Sequence, residues 1–490
     1  MSRSVPAESP ESIAADDFGV EQHGVDTIPE VERTARPRDV IGILWGGNLA
    51  LSVMVFGWLA ILYGLSWWQA VSAILAGTLV GSLAVMPMAL LGYRAATNNS
   101  VSSGAYFGVR GRLVASVIGL LLCLGYIALT VWTGGEAVVA SLVRITGAEE
   151  TNLELAAGYA VIAILVGVVA VYGFQWLVRL NKVIIAVVGA TVVLSLIALA
   201  PHFDASYPGT PDQYLLGDFW PTWLLAALTA GVAGPISYVT LIGDWTRYIS
   251  PRRHQPGPLL GATFVGLFIG LAVPTLFGAF VSVAAFDESS FVAGYTAGSP
   301  GWLILPILAT GVIGSLGQGG VNLYSMGLDL DAILPRLTRT QATFVVSAIA
   351  LALVFLGRFV WAAEESVTFY VLLLTSLATP WAAVTMLGYA RTKGRFDQDA
   401  LQVFNRRGHG GSYWYWRGWN LDAVAAWVVG SVVGILSNST ETYIGPIADR
   451  LGGVDASVLT SAVAAGVVYL ALVTIRPHAH APRATEGGSL

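Results

Sequence analysis

The 490-residue chain is poor in charge and in cysteine. Only 11% of its residues are charged, against about 25% in an ordinary soluble domain, so a surface built from them could not be kept in water. The single cysteine, Cys123, excludes a disulfide framework and any multi-thiolate metal site. A net charge of −5 on so few ionisable groups leaves no basic face for nucleic acid. The sequence carries no Walker-type phosphate loop, which excludes an ATP-driven pump within this chain. All six histidines fall in predicted loops or tails. That argues against a membrane-embedded enzyme, which needs histidines or carboxylates clustered inside the bilayer.

What is plentiful is apolar: 55% of the residues, with 56 Gly and 16 Trp. Gly lets membrane helices approach closely and Trp favours the bilayer interface, so the expected class is an all-α, polytopic membrane protein. Residues 1–39 stand apart, with nine acids and few large apolar groups, and read as a solvated, disordered tail. They do not have the layout of a secretory signal. Beyond them, apolar runs long enough to cross a bilayer recur near 40–63, 67–92, 112–143, 154–172, 177–200, 219–242, 258–284, 301–330, 341–358, 366–390, 420–437 and 457–475, predicting twelve transmembrane helices. With both termini cytoplasmic, every one of the 25 basic residues except Arg144, Arg358 and Arg450 falls on the inner side. That is the asymmetry the positive-inside rule demands. The outer loops are acidic instead, the ordinary composition of a solvated loop.

Polar or helix-weakening groups at membrane depth mark function. The first run carries Trp45-Gly46-Gly47-Asn48, and the sixth carries Gly231-Val232-Ala233-Gly234-Pro235-Ile236-Ser237. Proline frees a carbonyl and glycine lets the chain unwind. Interrupted helices five apart point to an inverted-repeat secondary transporter with its site at the breaks; close helix packing is the simpler alternative. In the eighth run Gln318, Asn322, Ser325 and Asp329 share one narrow helical face, as residues lining a cavity do. Asp329, towards the inner end, could instead cap the helix or pair with Arg336. In the third run Tyr126, Thr130 and Thr133 share a face with Glu136 at its edge, which suits a flat, hydrogen-bonding ligand; ordinary packing explains Tyr126 equally well. Glu136 is either a proton carrier or a partner for Arg144. Asp244 and Arg247 read as an inner-edge ion pair, a lock or gate. The sequon Asn438-Ser439-Thr440 and the pair His478 and His480 read as accidental.

Five segments resemble one family. They are Leu44-Trp45-Gly46-Gly47-Asn48-Leu49, Phe107-Gly108-Val109-Arg110-Gly111, Gly125-Tyr126 with Gly134-Gly135, Asp244-Trp245-Thr246-Arg247-Tyr248 and Asn322-Leu323-Tyr324-Ser325. Together they resemble the purine–cytosine permease branch of the nucleobase–cation symporters, whose members also handle uracil, allantoin, hydantoins and thiamine. The resemblance implies a five-plus-five inverted repeat (40–200 and 219–390), an inner loop with two added helices (391–475) and a cytoplasmic tail (476–490). It implies a multi-pass protein of the plasma membrane that imports a base by alternating access, without covalent chemistry and without a cofactor other than a coupling ion, H+ or Na+.

The resemblance also assigns roles. Tyr126 would stack on the base with Thr130 beside it. Tyr238 would be the helix-six aromatic, next to Gly234 and Ser237. Asn322 would read the base edge, supported by Gln318. From the residues themselves, Gly46, Asn48 and Glu136 are the expected coupling groups, and Asp244, Arg247 and Asp329 the expected structural or gating groups. Where relatives often have Trp in helices three and six, this chain has Tyr. Where sodium-coupled relatives have a Ser/Thr pair on helix eight, it has Leu316 and Gly317. Proton coupling, as in fungal members, is therefore the preferred expectation. A sodium-coupled permease for allantoin, hydantoin, uracil or a thiamine-like substrate is the alternative. Partners other than substrate, ion and lipid are not expected.

Overall fold

The computed structural model describes residues 24–476 except 148, 150, 172–173, 335–338 and 360–366. The described residues form helices and isolated bridges, with no named strand. Helices lie over all twelve predicted runs: α1a (Pro37–Asn48) and α1b (Leu51–Leu62), α2 (Trp67–Ala95) and α3 (Leu113–Thr146), α4 (Asn152–Val171), α5 (Phe174–Leu199), α6 (Phe219–Ile236), α7 (Pro256–Ala284) and α8 (Gly301–Ile333), α9 (Arg339–Phe359), α10 (Val367–Thr392), α11 (Leu421–Leu436) and α12 (Ser457–Ile475). Among the described residues, nine are long and apolar enough to cross a membrane, or ten with α1a and α1b joined as one broken span. α9 is less apolar and α11 has only 16 residues.

The packing repeats. α1 packs on α7 and α2 on α6; α1 on α5 and α6 on α10; α4 on α8 and α9 on α3; α5 on α8 and α10 on α3. Exchanging the first five helices for the next five turns each of these pairings into another of the set. Since five is odd, the second copy starts from the opposite side of the bundle. Lipid offers no hydrophobic drive between helices, so small residues set these contacts. A Cβ on Gly231 of α6 would lie 2.6 Å from the Gly77 Cα of α2, and one on Gly57 of α1b would run into the Thr275 carbonyl of α7. Outward faces are apolar instead, with Leu79, Ile164, Ile197 and Val467 exposed where acyl chains would lie.

The basic segments gather at one end. Arg33, Arg112 and Arg247 lie there with the loop that carries Gln402 and Asn405, and Arg476 pairs with Asp422 at the start of α11. Contacts involving Asp287 and Glu136 mark the opposite end. One expectation is corrected. Residues 24–36, read as part of a disordered tail, are strapped across the basic end. Val25, Ile28 and Arg33 are buried, and backbone groups of Val25 and Ile28 bond to Asp331 and Ala96. Their few apolar side chains are enough because hydrogen bonds to fixed partners complete the attachment.

Candidate functional site

α1 breaks where the sequence weakens it. After Gly46-Gly47 the α-helix ends at Asn48 and resumes at Leu51 with a bend of 64°. The Asn48 Nδ2 donates to the Leu44 carbonyl at 2.7 Å, occupying an acceptor near the end of α1a. α6 is interrupted differently. It passes through a π-helical segment, Ala227–Val232, makes one more α turn to Ile236, and then unwinds into turns before the short helix Gly243–Thr246. The sixth span therefore ends at Ile236, six residues before the predicted Ile242. Pro235 has no N–H to give the carbonyl four residues back, and the chain does not recover a helix beyond it. α8 carries a second π segment, Thr310–Gly314. Such bulges cluster at functional sites.

The two breaks are tied together. Tyr238, just past the end of α6, donates its hydroxyl to Asn48 Oδ1 at 2.8 Å. Ser237 donates to the Gly234 carbonyl at 2.6 Å, and its side chain also interacts with the Tyr126 phenol of α3. Tyr126 is 9% exposed and its ring lies 6.2 Å from that of Phe56 on α1b.

α8 closes the group. It runs antiparallel to α3: Gly134 meets Ser315, the Ser315 hydroxyl reaches the Thr130 carbonyl at 3.3 Å, and Gly119 meets Asp329. That register sets Tyr126 level with Asn322. Asn322 donates to the Gln318 carbonyl at 2.9 Å. The Gln318 Oε1 is buried without a hydrogen-bond partner, as is the Ser325 hydroxyl. An unpaired buried acceptor is costly, about 1–3 kcal/mol, and so is a ready partner for a ligand's N–H.

Other expected residues are placed elsewhere. The Thr130 hydroxyl donates to the Tyr126 carbonyl at 2.6 Å and lies 3.2 Å from Ser52 Oγ, so it is tied into the α3–α1b contact. Glu136 sits at the acidic end and accepts from Ser290 at 3.0 Å. Arg247 donates to the Gly24 carbonyl and to the hydroxyls of Tyr248 and Tyr324. Asp244 is buried nearby. Asp329 accepts from the Ser100 hydroxyl at 2.7 Å; its pairing with Arg336, like the roles of His478 and His480, lies outside the described residues. Asn438 of the sequon is buried and accepts from Ser376.

Sequence reasoning missed Asn181. It lies on α5, 1% exposed, with both side-chain polar atoms unpartnered. A Cβ on Gly46 would come within 2.6 Å of it, and Gly317 of α8 lies beside it. The flanking Arg179 and Lys182 were read only as charge on the inner side.

Two broken helices joined at mid-bundle, inside a five-plus-five repeat, define a secondary transporter of the inverted-repeat class. The comparisons name the family. Residues 27–459 match the model for permeases for cytosine/purines, uracil, thiamine and allantoin, and the chain belongs to that family. It is 22% identical over 469 residues, covering 93% of this chain and 96% of the relative, to a Bacillus subtilis (strain 168) protein described as a purine-cytosine permease, YxlA. Its fold is similar to that of Mhp1, a nucleobase-cation-symport-1 family transporter, in a closed conformation with bromovinylhydantoin bound. The TM-score is 0.71 at 18% identity over 94% of this chain and 97% of that one. The inward-facing conformation of Mhp1 gives 0.68 at 19% identity over 95% and 97%.

Proposed function

We propose that the protein imports a nucleobase, or a related flat heterocycle, across the cell membrane by proton symport and alternating access, with both termini cytoplasmic. The observation that carries the reading is the Tyr238–Asn48 bond that joins the breaks of α1 and α6, with Tyr126 beside Ser237 of the second break and level with Asn322, and with the unpartnered Gln318 Oε1 one turn from Asn322 on α8. Two phenol rings offer faces for a planar ring, and Gln318 and Asn322 offer an acceptor and an amide for its polar edge. Residues 40–200 and 219–390 would be the two repeats that rock about the site, with Gly46 and Asn48 at the pivot. Asp244 and Arg247 would close the inner side.

The absence of a hydroxyl pair at Leu316 and Gly317 favours a proton over sodium. A sodium-coupled carrier of hydantoin or allantoin is the second reading, favoured by the hydantoin bound to Mhp1 and by 25% identity over 283 residues to the allantoin permease of Bacillus subtilis (strain 168). Uptake of labelled cytosine, adenine, hypoxanthine, uracil and allantoin in a transport-deficient host tests both. The expected result is saturable uptake of a base, independent of sodium and abolished by a protonophore. Sodium dependence with resistance to the protonophore selects the second reading.

A further inference from the structure

Below the candidate base site, the same elements meet a second time. Asp329 of α8 is 4% exposed. Its Oδ1 accepts from the Ser100 hydroxyl on the short helix Asn99–Ser102. Its Oδ2 faces Gly119 of α3 so closely that a Cβ there would overlap it, and the Thr240 Oγ1 lies 3.2 Å from that same point. Thr240, in the turns following α6, is 2% exposed and its hydroxyl has no hydrogen-bond partner. Asp244, in the same segment, lies within electrostatic reach of Asp329, and Asp329 within reach of Cys123 on α3. Arg112 and Arg247 act on Asp331, two residues further on. Among the described residues no basic side chain pairs with Asp329. Glu136, by contrast, is at the far end and is bonded to Ser290.

A carboxylate buried at the end of a span, with one neutral donor and a second carboxylate nearby, is the arrangement of a proton relay rather than of a structural ion pair. We infer that Asp329 is the proton-carrying group of the transport cycle, taking one proton with each substrate and releasing it on the inner side when the α3–α6–α8 junction opens. The inference rests on the symport reading above. The unpartnered Thr240 hydroxyl, close to the same face of Gly119, is the group of the chain beyond α6 that a change of charge on Asp329 would act on. In the ionised state Asp329 draws that hydroxyl in as a donor, and protonation weakens the pull. The proton enters and leaves as H+, and no bond to the substrate forms or breaks. Because α3, α8 and the segment beyond α6 also carry Tyr126, Asn322 and Tyr238, the charge on Asp329 reports directly on the helices that hold the base.

The test uses the full chain in proteoliposomes, with wild type, Asp329→Asn and Thr240→Val. Two readouts are taken with the labelled base panel: exchange of internal for external base at equal pH, and accumulation driven by an imposed pH gradient. Asp329→Asn, isosteric and permanently neutral, should lose gradient-driven accumulation at least tenfold more than it loses exchange. Accumulation by Asp329→Asn equal to that of wild type overturns the inference and leaves the symport reading standing. Absence of exchange of any base by wild type overturns both. Where Asp329→Asn neither exchanges nor accumulates, Thr240→Val decides, since it keeps the acid. A displaced pH midpoint of uptake supports the proton role, and an unchanged midpoint overturns it.

Discussion

The Tyr238 hydroxyl donates to Asn48 Oδ1 at 2.8 Å, joining the broken first helix to the broken sixth across 190 positions of sequence. Asn48 in turn uses its Nδ2 on the Leu44 carbonyl. One amide thus caps its own helix and receives the other repeat.

Removing the phenol oxygen tests the link. Tyr238→Phe keeps the ring, which packs 5.8 Å from that of Trp245, and leaves Asn48 Oδ1 buried without its donor. Leaving such a group unpaired costs about 1–3 kcal/mol, roughly five- to a hundredfold in base affinity where binding needs the joined breaks. Equilibrium binding to purified protein measures it. The double variant with Asn48→Ala should weaken binding by less than the sum of the two single variants. Additive losses would show that the bond does not couple the breaks.

Gly46 is fixed by its neighbour rather than by backbone angle. A Cβ there would lie 2.5 Å from the Asn181 Cβ, too close for either helix to stay in place. Gly46→Ala is expected to cut uptake at least tenfold with normal membrane insertion, and Asn181→Gly in the same chain to restore part of it by vacating the space. Failure of Asn181→Gly to rescue, with Gly46→Ala inactive, would place the requirement for glycine in the helix break itself.

Tyr126 separates stacking from hydrogen bonding. Tyr126→Phe loses the interaction with Ser237 but keeps the ring face, and KM should stay within a few-fold of wild type. Tyr126→Ala removes the face. Aromatic stacking on a base is worth about 1–3 kcal/mol, so KM should rise roughly five- to a hundredfold. Equal KM values in the two variants would remove Tyr126 from the site.

The sequence showed some of this plainly. Gly46-Gly47 beside Asn48 announced the break in α1, because two glycines and a side chain that bonds its own backbone weaken one turn. The register of Tyr126 with Asn322 needed two helices that start 188 residues apart in the chain, and helical periodicity reads only one at a time. The π segments at Ala227–Val232 and Thr310–Gly314 have no residue signature, since the bulge is imposed by packing against other helices. The bond from Ser100 to Asp329 was not legible, because Ser100 lies 229 positions away in sequence. The strap was misread for a related reason: composition measures how much apolar surface a segment has, not whether fixed partners wait for its backbone.

That strap yields the last prediction. The Arg33 Nε donates to the Arg247 carbonyl at 2.9 Å, and its Nη2 donates to the carbonyls of Tyr93 and Ile249 at 2.6 Å each. Three carbonyls, one near the end of α2 and two just past the short helix Gly243–Thr246, are thus held by one planar fork, 4% exposed. Lysine keeps the charge but cannot present that fork, and each charge-assisted bond lost is worth about 1.5–3 kcal/mol. Arg33→Lys should therefore lower the Tm of purified protein and loosen the basic end, read as faster proteolysis within residues 24–36. Glu30 supplies the pH signature. The Ser250 hydroxyl first, and then Arg33, hold its carboxyl below the usual carboxylate range. A lowered acid stabilises the folded state above its unfolded value and loses that contribution as pH falls through the lowered one. The strap should accordingly hold at neutral pH and loosen in acid, and Glu30→Gln should flatten that dependence. Proteolysis of the strap that is unaltered by Arg33→Lys and by acid would show that Val25 and Ile28 alone retain it.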